Sequence, residues 1–351
     1  MRGSPLARYL LAAYLLLVVY ASLHPFSGWR DQGLSAFAYL AAPRPRYLTA
    51  FDIAANLLAY FPVGALAVLA AAPVMRGVVA AAVAILGATL VSLLLEAAQS
   101  FLPSRIPSNL DVAFNAAGAA LGALVALWLA PWVLHTGPLR RAREALLRPG
   151  ALSDAGLVLA AFWLFTQLDP TTLLFGTGDL RRLWELEAGR ERLPGFFIAV
   201  ETVIAATNIV ATGLIVSAIV QGRGLAALVI PVLVFTALVV RTMGLAILMR
   251  AEDVLAWLTP GAAQGLLAGV TFALVAILLP RTLRLALAAV LLMAGTVLVN
   301  LASPNPYTEA TLKVWEQGHF LNFNGLTRLV SAAWPFAALG YAITLAARGS
   351  R

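Results

Sequence analysis

Residues Leu95–Gly122 read LEAAQSFLPSRIPSNLDVAFNAAGAALG. The stretch sets Glu96, Gln99, Arg105, Asn109, Asp111 and Asn115 between two apolar runs. Elsewhere the chain avoids charge: 61% of its 351 residues are hydrophobic and 11% are charged. Soluble domains carry about 25% charged residues, and no water-soluble fold of this size could hide so much apolar surface. The solvent is therefore a bilayer, and the quoted stretch is a polar break between two spans.

A span needs about 20 apolar residues. Working outward from the break, this predicts an all-α, polytopic transmembrane helical bundle of about ten spans. They run roughly Leu6–Leu23, Phe51–Ala71, Val74–Leu95, Asp111–Val133, Leu152–Leu168, Pro194–Val220, Leu225–Met249, Gly261–Leu279, Leu283–Ala302 and Leu329–Ala346. The N-terminal run, with Arg2 and Arg8 ahead of it, lacks a small-x-small cleavage site and reads as an uncleaved first span. Residues 1–135 form a first four-helix domain. A basic linker, 136–150, carries Arg140, Arg141, Arg143 and Arg148, and residues 151–351 form a second domain of about six helices. Two polar stretches, 169–193 and 303–328, read as extracytoplasmic loops, the first with an interfacial helix around Arg181–Arg190.

The formal charge is +8, and every cation but Lys313 is an arginine. The arginines sit singly or in short clusters between spans, with no basic stripe and no interleaved aromatics, so nucleic acid is not an expected partner. They read as loop charges that orient helices and touch anionic lipid heads. With both termini cytoplasmic, the inner loops hold Arg76, the linker cluster, Arg223, Arg281, Arg284, Arg348 and Arg351. Cysteine is absent, which excludes disulfides, thiol nucleophiles and thiolate metal sites.

Span parity brings distant polar residues to one membrane level. Span one ends at His24, span two begins with Asp52 and Asn56, span three ends with Glu96 and Gln99, and span four begins with Asp111 and Asn115. Each pair is three or four apart, so it shares a helix face. Arg105 and Ser108 lie in the loop between spans three and four. A charge in hydrocarbon costs roughly 3 kcal/mol on insertion scales, so such residues face the bundle, pair or serve function. Taken singly, Asp52 and Asp111 suit helix N-termini as caps, and Arg105 suits neutralisation of Glu96 or Asp111. As a set they exceed what capping requires.

The ordered series Asp52-x3-Asn56, Phe61-Pro62-x-Gly64, Glu96-x2-Gln99, Pro103-x-Arg105, Ser108 and Asp111-x3-Asn115-x2-Gly118 resembles the VanZ-like family, named for a teicoplanin-resistance accessory protein. The resemblance covers about residues 9–133 and leaves the C-terminal half uncovered. It implies a multi-pass protein of the bacterial inner membrane with a link to glycopeptide antibiotics or cell-envelope lipids. It implies no settled reaction and names no cofactor.

Three readings stay open. In the first, the site at the extracytoplasmic rim binds or modifies a cell-envelope lipid or lipid-linked precursor. Glu96, Asp111 and Asp52 are then candidate acid–base groups, and Arg105, Asn56, Gln99, Asn115, Ser108 and His24 are candidate substrate contacts. A glycopeptide is a further possible partner beside the membrane lipids. A hard cation held by Asp52, Glu96 and Asp111 is conceivable, but no ligand spacing demands a metal. In the second, a transporter or lipid-flipping protein uses the carboxylates as a proton or cation relay, although such sites usually lie at midplane. In the third, the protein is a non-catalytic structural or accessory component. In the second half, Glu201, Asn208, Arg241, His319 and Asn322 read either as a second polar lining or, for Glu201 and Arg241, as an ion pair.

Overall fold

A computed structural model describes residues 5–33, 35–43, 49–72, 74–134, 137–169, 171–181, 194–248, 254–302 and 321–349. Among these residues there are eleven α-helices, one short 3-10 helix and no strand. Each of the ten apolar runs forms one helix. Eight are long and apolar enough to cross a membrane; the other two, Ala151–Thr166 and Pro260–Ala276, are shorter. At 1.5 Å per residue, such short helices reach about 25 Å, less than the roughly 30 Å hydrocarbon core. The protein is an all-helical, polytopic membrane protein.

The chain divides into two compact units, Met1–Ala145 and Leu146–Arg351. Unit 1 contains α1 (Pro5–Leu23), the 3-10 helix Ala38–Ala41, α2 (Ala50–Ala71), α3 (Gly77–Gln99), α4 (Asn109–Leu134) and the short basic α5 (Pro138–Leu146). Glycine sets its tightest contact. A Cβ on Gly64, Gly118 or Gly122 would fall inside the carbonyl oxygens of Ala119, Leu57 and Phe61 respectively, so the backbones of α2 and α4 touch. Small residues allow this approach, which in lipid replaces the hydrophobic drive between helices. Leu57 meets Gly118 and Phe61 meets Gly122, so the two parallel helices run in register and their N-termini lie side by side. Alanines fill the remaining gaps: Ala80, Ala81, Ala84, Ala123 and Ala126 pack with Val68. Leu86, Leu90, Leu94, Leu121, Leu124 and Trp128 face outward, as a lipid-exposed surface requires.

The segment after α1 folds over the C-terminal end of α3. Arg30 N–H donates to the Phe101 carbonyl at 2.9 Å, Gln32 Nε2 to the Ser100 carbonyl at 2.7 Å, and Ser100 Oγ to the Ala36 carbonyl at 3.0 Å. Asn109 Nδ2 donates to the Ala42 carbonyl at 3.0 Å. Tyr39, in the 3-10 helix, is buried against Ala97 and Val112.

Unit 2 contains α6 (Ala151–Thr166), α7 (Pro194–Ser217), α8 (Arg223–Leu248), α9 (Pro260–Ala276), α10 (Arg281–Leu301) and α11 (Leu321–Gly349). Helix α7 is its axis, buried continuously from Asn208 to Ser217. Gly261, Gly265 and Gly269 of α9 lie against Ile198–Glu201, Thr202–Ala205 and Ala206–Ile209 of α7. Helix α11 begins at Leu321, eight residues before the apolar run, so 321–328 is helical rather than loop. Thr327 is fully buried there, which gives the polar first turns of α11 a protein environment. Residues 182–193 and 303–320, which include most of the proposed interfacial helix, lie outside the described residues.

Candidate functional site

The N-termini of α2 and α4 are built alike. Thr49 accepts from the Asp52 N–H at 3.1 Å, and Asp52 Oδ2 accepts from the Thr49 N–H at 3.0 Å and from its hydroxyl at 2.7 Å, a reciprocal capping box. Nine residues after the end of α3, Ser108 repeats the pattern: its Oγ accepts from the Leu110 N–H at 3.2 Å and donates to the Asp111 carboxylate. Both carboxylates thus sit in the first turn of a helix, where free N–H groups and the dipole favour negative charge. Each is followed four residues on by an asparagine on the same face.

Because α2 and α4 are in register, the two termini meet. Asn56 donates a side-chain hydrogen bond to the Asp111 carboxylate, and Asp52 lies within electrostatic range of Asp111. The third carboxylate, Glu96, reaches the same place from the end of α3. It is buried, and its Oε2 accepts from the Ser108 N–H at 2.7 Å. Asp111 and Arg105 are both within electrostatic range of Glu96. Burial, and then the charge of Glu96, pushes the Tyr39 phenol up.

Below this layer a buried polar chain continues inward. Asn115 Nδ2 donates to Ser92 Oγ at 2.9 Å, and Ser92 also hydrogen-bonds the hydroxyl of buried Tyr60. Asn115 is 4% exposed, and its Oδ1 has no hydrogen-bond partner. Ser92 and Tyr60 were not legible as site residues, since a lone serine or tyrosine in an apolar run reads as packing.

Three of the expected contact residues face a different task. Arg105 donates through Nη2 to the Ala21 carbonyl at 2.7 Å and through Nε to the His24 carbonyl at 3.1 Å. Gln99 Nε2 donates to the Ser22 carbonyl at 3.0 Å. These carbonyls end α1, where no intrahelical donor remains. His24 turns its ring to Tyr20, with Nδ1 3.1 Å from the phenol oxygen. Burial, and then the nearby Arg105 charge, hold the His24 pKa below its ordinary value. The rim therefore has an acidic half on α2, α3 and α4 and a clamp on the end of α1.

The acidic half presents carboxylate and amide oxygens with one guanidinium nearby. It suits hydroxyl or ammonium groups of a ligand, and its carboxylates could exchange a proton with one. Among the described residues no group of three or more His, Asp and Glu side chains is placed to hold a metal ion.

In unit 2, Glu201 Oε2 accepts from the Thr259 hydroxyl at 2.5 Å. Arg241 Nη1 donates to the Asp169 carbonyl, and its Nη2 to the Thr172 carbonyl at 2.5 Å. Asn208 Oδ1 accepts from Thr177 Oγ1 at 3.1 Å. Thr177 belongs to the irregular segment 171–181, which reaches the middle of α7 and is buried there. Irregular backbone at such depth is tolerated where protein surrounds it. Asp169, unremarkable as a loop acid in the sequence, is fully buried; its Oδ1 is held by Thr171, and its Oδ2 has no hydrogen-bond partner. His319 and the side chain of Asn322 lie outside the described residues.

No curated protein and no solved structure matches the chain. A family model does: VanZ/LLP1, over residues 9–130. The matched stretch runs from within α1 to within α4, holds every rim residue described above, and ends before unit 2. Over residues 9–130 the N-terminal unit of this chain is similar to the VanZ/LLP1 family.

Proposed function

We propose that the VanZ-like unit binds, or modifies, the head group of a cell-envelope lipid or lipid-linked precursor at its polar rim, and that this links the protein to glycopeptide susceptibility. The observation that carries the reading is Asp111, held by Asn56 and Ser108 beside Asp52 and Glu96 at one end of a tightly packed helix pair. Capping accounts for Thr49, Ser108 and one oxygen of each aspartate. It does not account for a third, buried carboxylate at the same point, nor for the unpartnered Asn115 Oδ1 behind it. Asp52, Asn56 and Asp111 are only partly buried, so a head group can reach them.

The rim faces the extracytoplasmic side of a bacterial inner membrane in this reading, and both termini are cytoplasmic. The support is the arginine distribution: Arg76, Arg141, Arg143 and Arg148 all follow the inward ends of spans.

A non-catalytic accessory role is the second reading, and a specific observation favours it. Arg105 and Gln99, the obvious anion and oxygen contacts, hold the backbone of α1. Relay transport has less support, because the polar groups of unit 1 crowd one end.

The test uses Glu96→Gln and Asp111→Asn in a bacterial host with protein levels matched to wild type. Envelope-lipid composition and teicoplanin susceptibility should both shift toward those of a strain lacking the protein. Unchanged composition and susceptibility in both variants would remove the binding and catalytic readings together and leave the accessory one.

A further inference from the structure

Unit 2 gathers four arginines at the end of α7 remote from Glu201. The link between α7 and α8 organises them. Arg148 N–H donates to the Ile219 carbonyl at 2.8 Å, and its Nε lies 3.4 Å from the Val220 carbonyl. Arg284 Nη1 donates to Ser217 Oγ at 2.9 Å, and the Ser217 hydroxyl donates to the Leu214 carbonyl at 2.7 Å. Arg223 opens α8 a few residues on, and Arg281 opens α10 one turn before Arg284, on the same face. Arg223, Arg148 and Arg281 are all within electrostatic range of Arg284.

This arrangement breaks two rules. Like charges gathered at one place repel. In addition, three of the four arginines lie in the first turns of α8 and α10, where the helix dipole disfavours cations, and neither first turn contains an acid. Orientation of the protein by inner-side arginines does not require this. Such side chains snorkel and expose the guanidinium, whereas Arg284 is 6% exposed. Moreover, the Nε atoms of both Arg281 and Arg284 are buried without a hydrogen-bond partner. Donors left unmet beside three like charges are what an anion would satisfy.

We infer that Arg148, Arg223, Arg281 and Arg284 form a binding site for a phosphate-bearing anion where α8 and α10 begin. Exposed Arg148 and Arg223 attract it, half-buried Arg281 follows, and buried Arg284, fixed by Ser217, supplies the innermost donors. The two helix N-termini add their free N–H groups. The apolar spans Arg223–Ala246 and Arg281–Leu301 start at these residues, which places the cluster at a membrane boundary, at the level of lipid phosphates.

The test uses the full-length protein in neutral detergent. Its thermal unfolding midpoint is followed against inorganic phosphate, with chloride at matched ionic strength as control, and against phosphatidylglycerol, with phosphatidylcholine as control. The wild type should be stabilised in a saturable way by at least one of the two anions over its control. Arg223→Gln, at an exposed position, should weaken the apparent affinity about tenfold, as loss of one charge-assisted contact implies. Without anion, the same variant should unfold at a higher temperature than wild type, because it relieves repulsion. Arg284→Gln should lose the response altogether; if it does not fold, Arg281→Gln takes its place. A response to phosphatidylglycerol alone assigns a lipid head group, and a response to inorganic phosphate assigns the free anion. No saturable effect of either anion, or an equal effect on wild type and Arg223→Gln, would overturn the inference.

Discussion

Asn56, one turn into α2, donates its amide hydrogen to Asp111 in the first turn of α4. The bond joins two helices whose backbones touch at Leu57 and Gly118, one residue further along α2. The bond from Asn56 thereby offsets part of the repulsion between Asp111 and Asp52.

Replacing Asn56 by Asp should therefore destabilise unit 1 more than replacing it by Ala, since it adds a fourth carboxylate to Asp52, Asp111 and Glu96. Asp111→Asn should rescue Asn56→Asp. A double-mutant cycle on unfolding in detergent should give a coupling of roughly 1.5–3 kcal/mol, the range for hydrogen bonds to charged groups. Additive effects would mean that the pair is not coupled.

The close approach of α2 and α4 makes a sharper stability prediction. Gly118→Ala and Gly122→Ala each add a Cβ where a carbonyl oxygen already sits, so each should cost about 1–3 kcal/mol or more by forcing the helices apart. Gly87→Ala adds a Cβ with nothing within 4 Å and should be neutral or stabilising. Equal effects of Gly87→Ala and Gly122→Ala would contradict the packing described.

Arg105 and Gln99 should matter for the end of α1. Arg105→Lys keeps the charge but loses the planar fork that reaches the Ala21 and His24 carbonyls together. Hydrogen exchange over residues 20–25 should accelerate in Arg105→Lys and in Gln99→Ala, and remain at the wild-type rate in Asp111→Asn. Unchanged exchange in Arg105→Lys would return Arg105 to a purely ligand-binding role.

His24 carries a pH signature. Its pKa lies below the ordinary 6.5, so between those two values the unfolded chain binds more protons than the folded one. Stability should therefore fall as pH drops below about 6.5, until the folded-state value is passed. His24→Gln should flatten that part of the profile of unfolding midpoint against pH. A profile that keeps its slope in His24→Gln would assign the effect to another group.

The helices and the common level of His24, Asp52, Glu96 and Asp111 were legible in the sequence, because hydrophobic run length and span parity are one-dimensional quantities. The in-register contact of α2 with α4 was half legible: Gly118 and Gly122 announce a close neighbour but do not name Leu57 and Phe61. The direction of a long side chain was not legible at all. Arg105 lies three residues before Ser108, between two acidic helix ends, yet it turns to the carbonyls of α1. Nor could spacing reveal that Ser92 and Tyr60 would line up beneath Asn115, or that Asp169 would be buried in unit 2, since burial of a loop acid depends on how segment 171–181 folds back along α7.

The proposed function requires that the rim of unit 1 hold a lipid. Native mass spectrometry of the protein released from bacterial membranes tests this directly, with wild type compared with Asp111→Asn and with Gly87→Ala as a folded control. Wild type and Gly87→Ala should retain a defined envelope lipid that Asp111→Asn has lost while remaining folded. The same lipid retained equally by all three proteins, or by none, would contradict a lipid site built on Asp111.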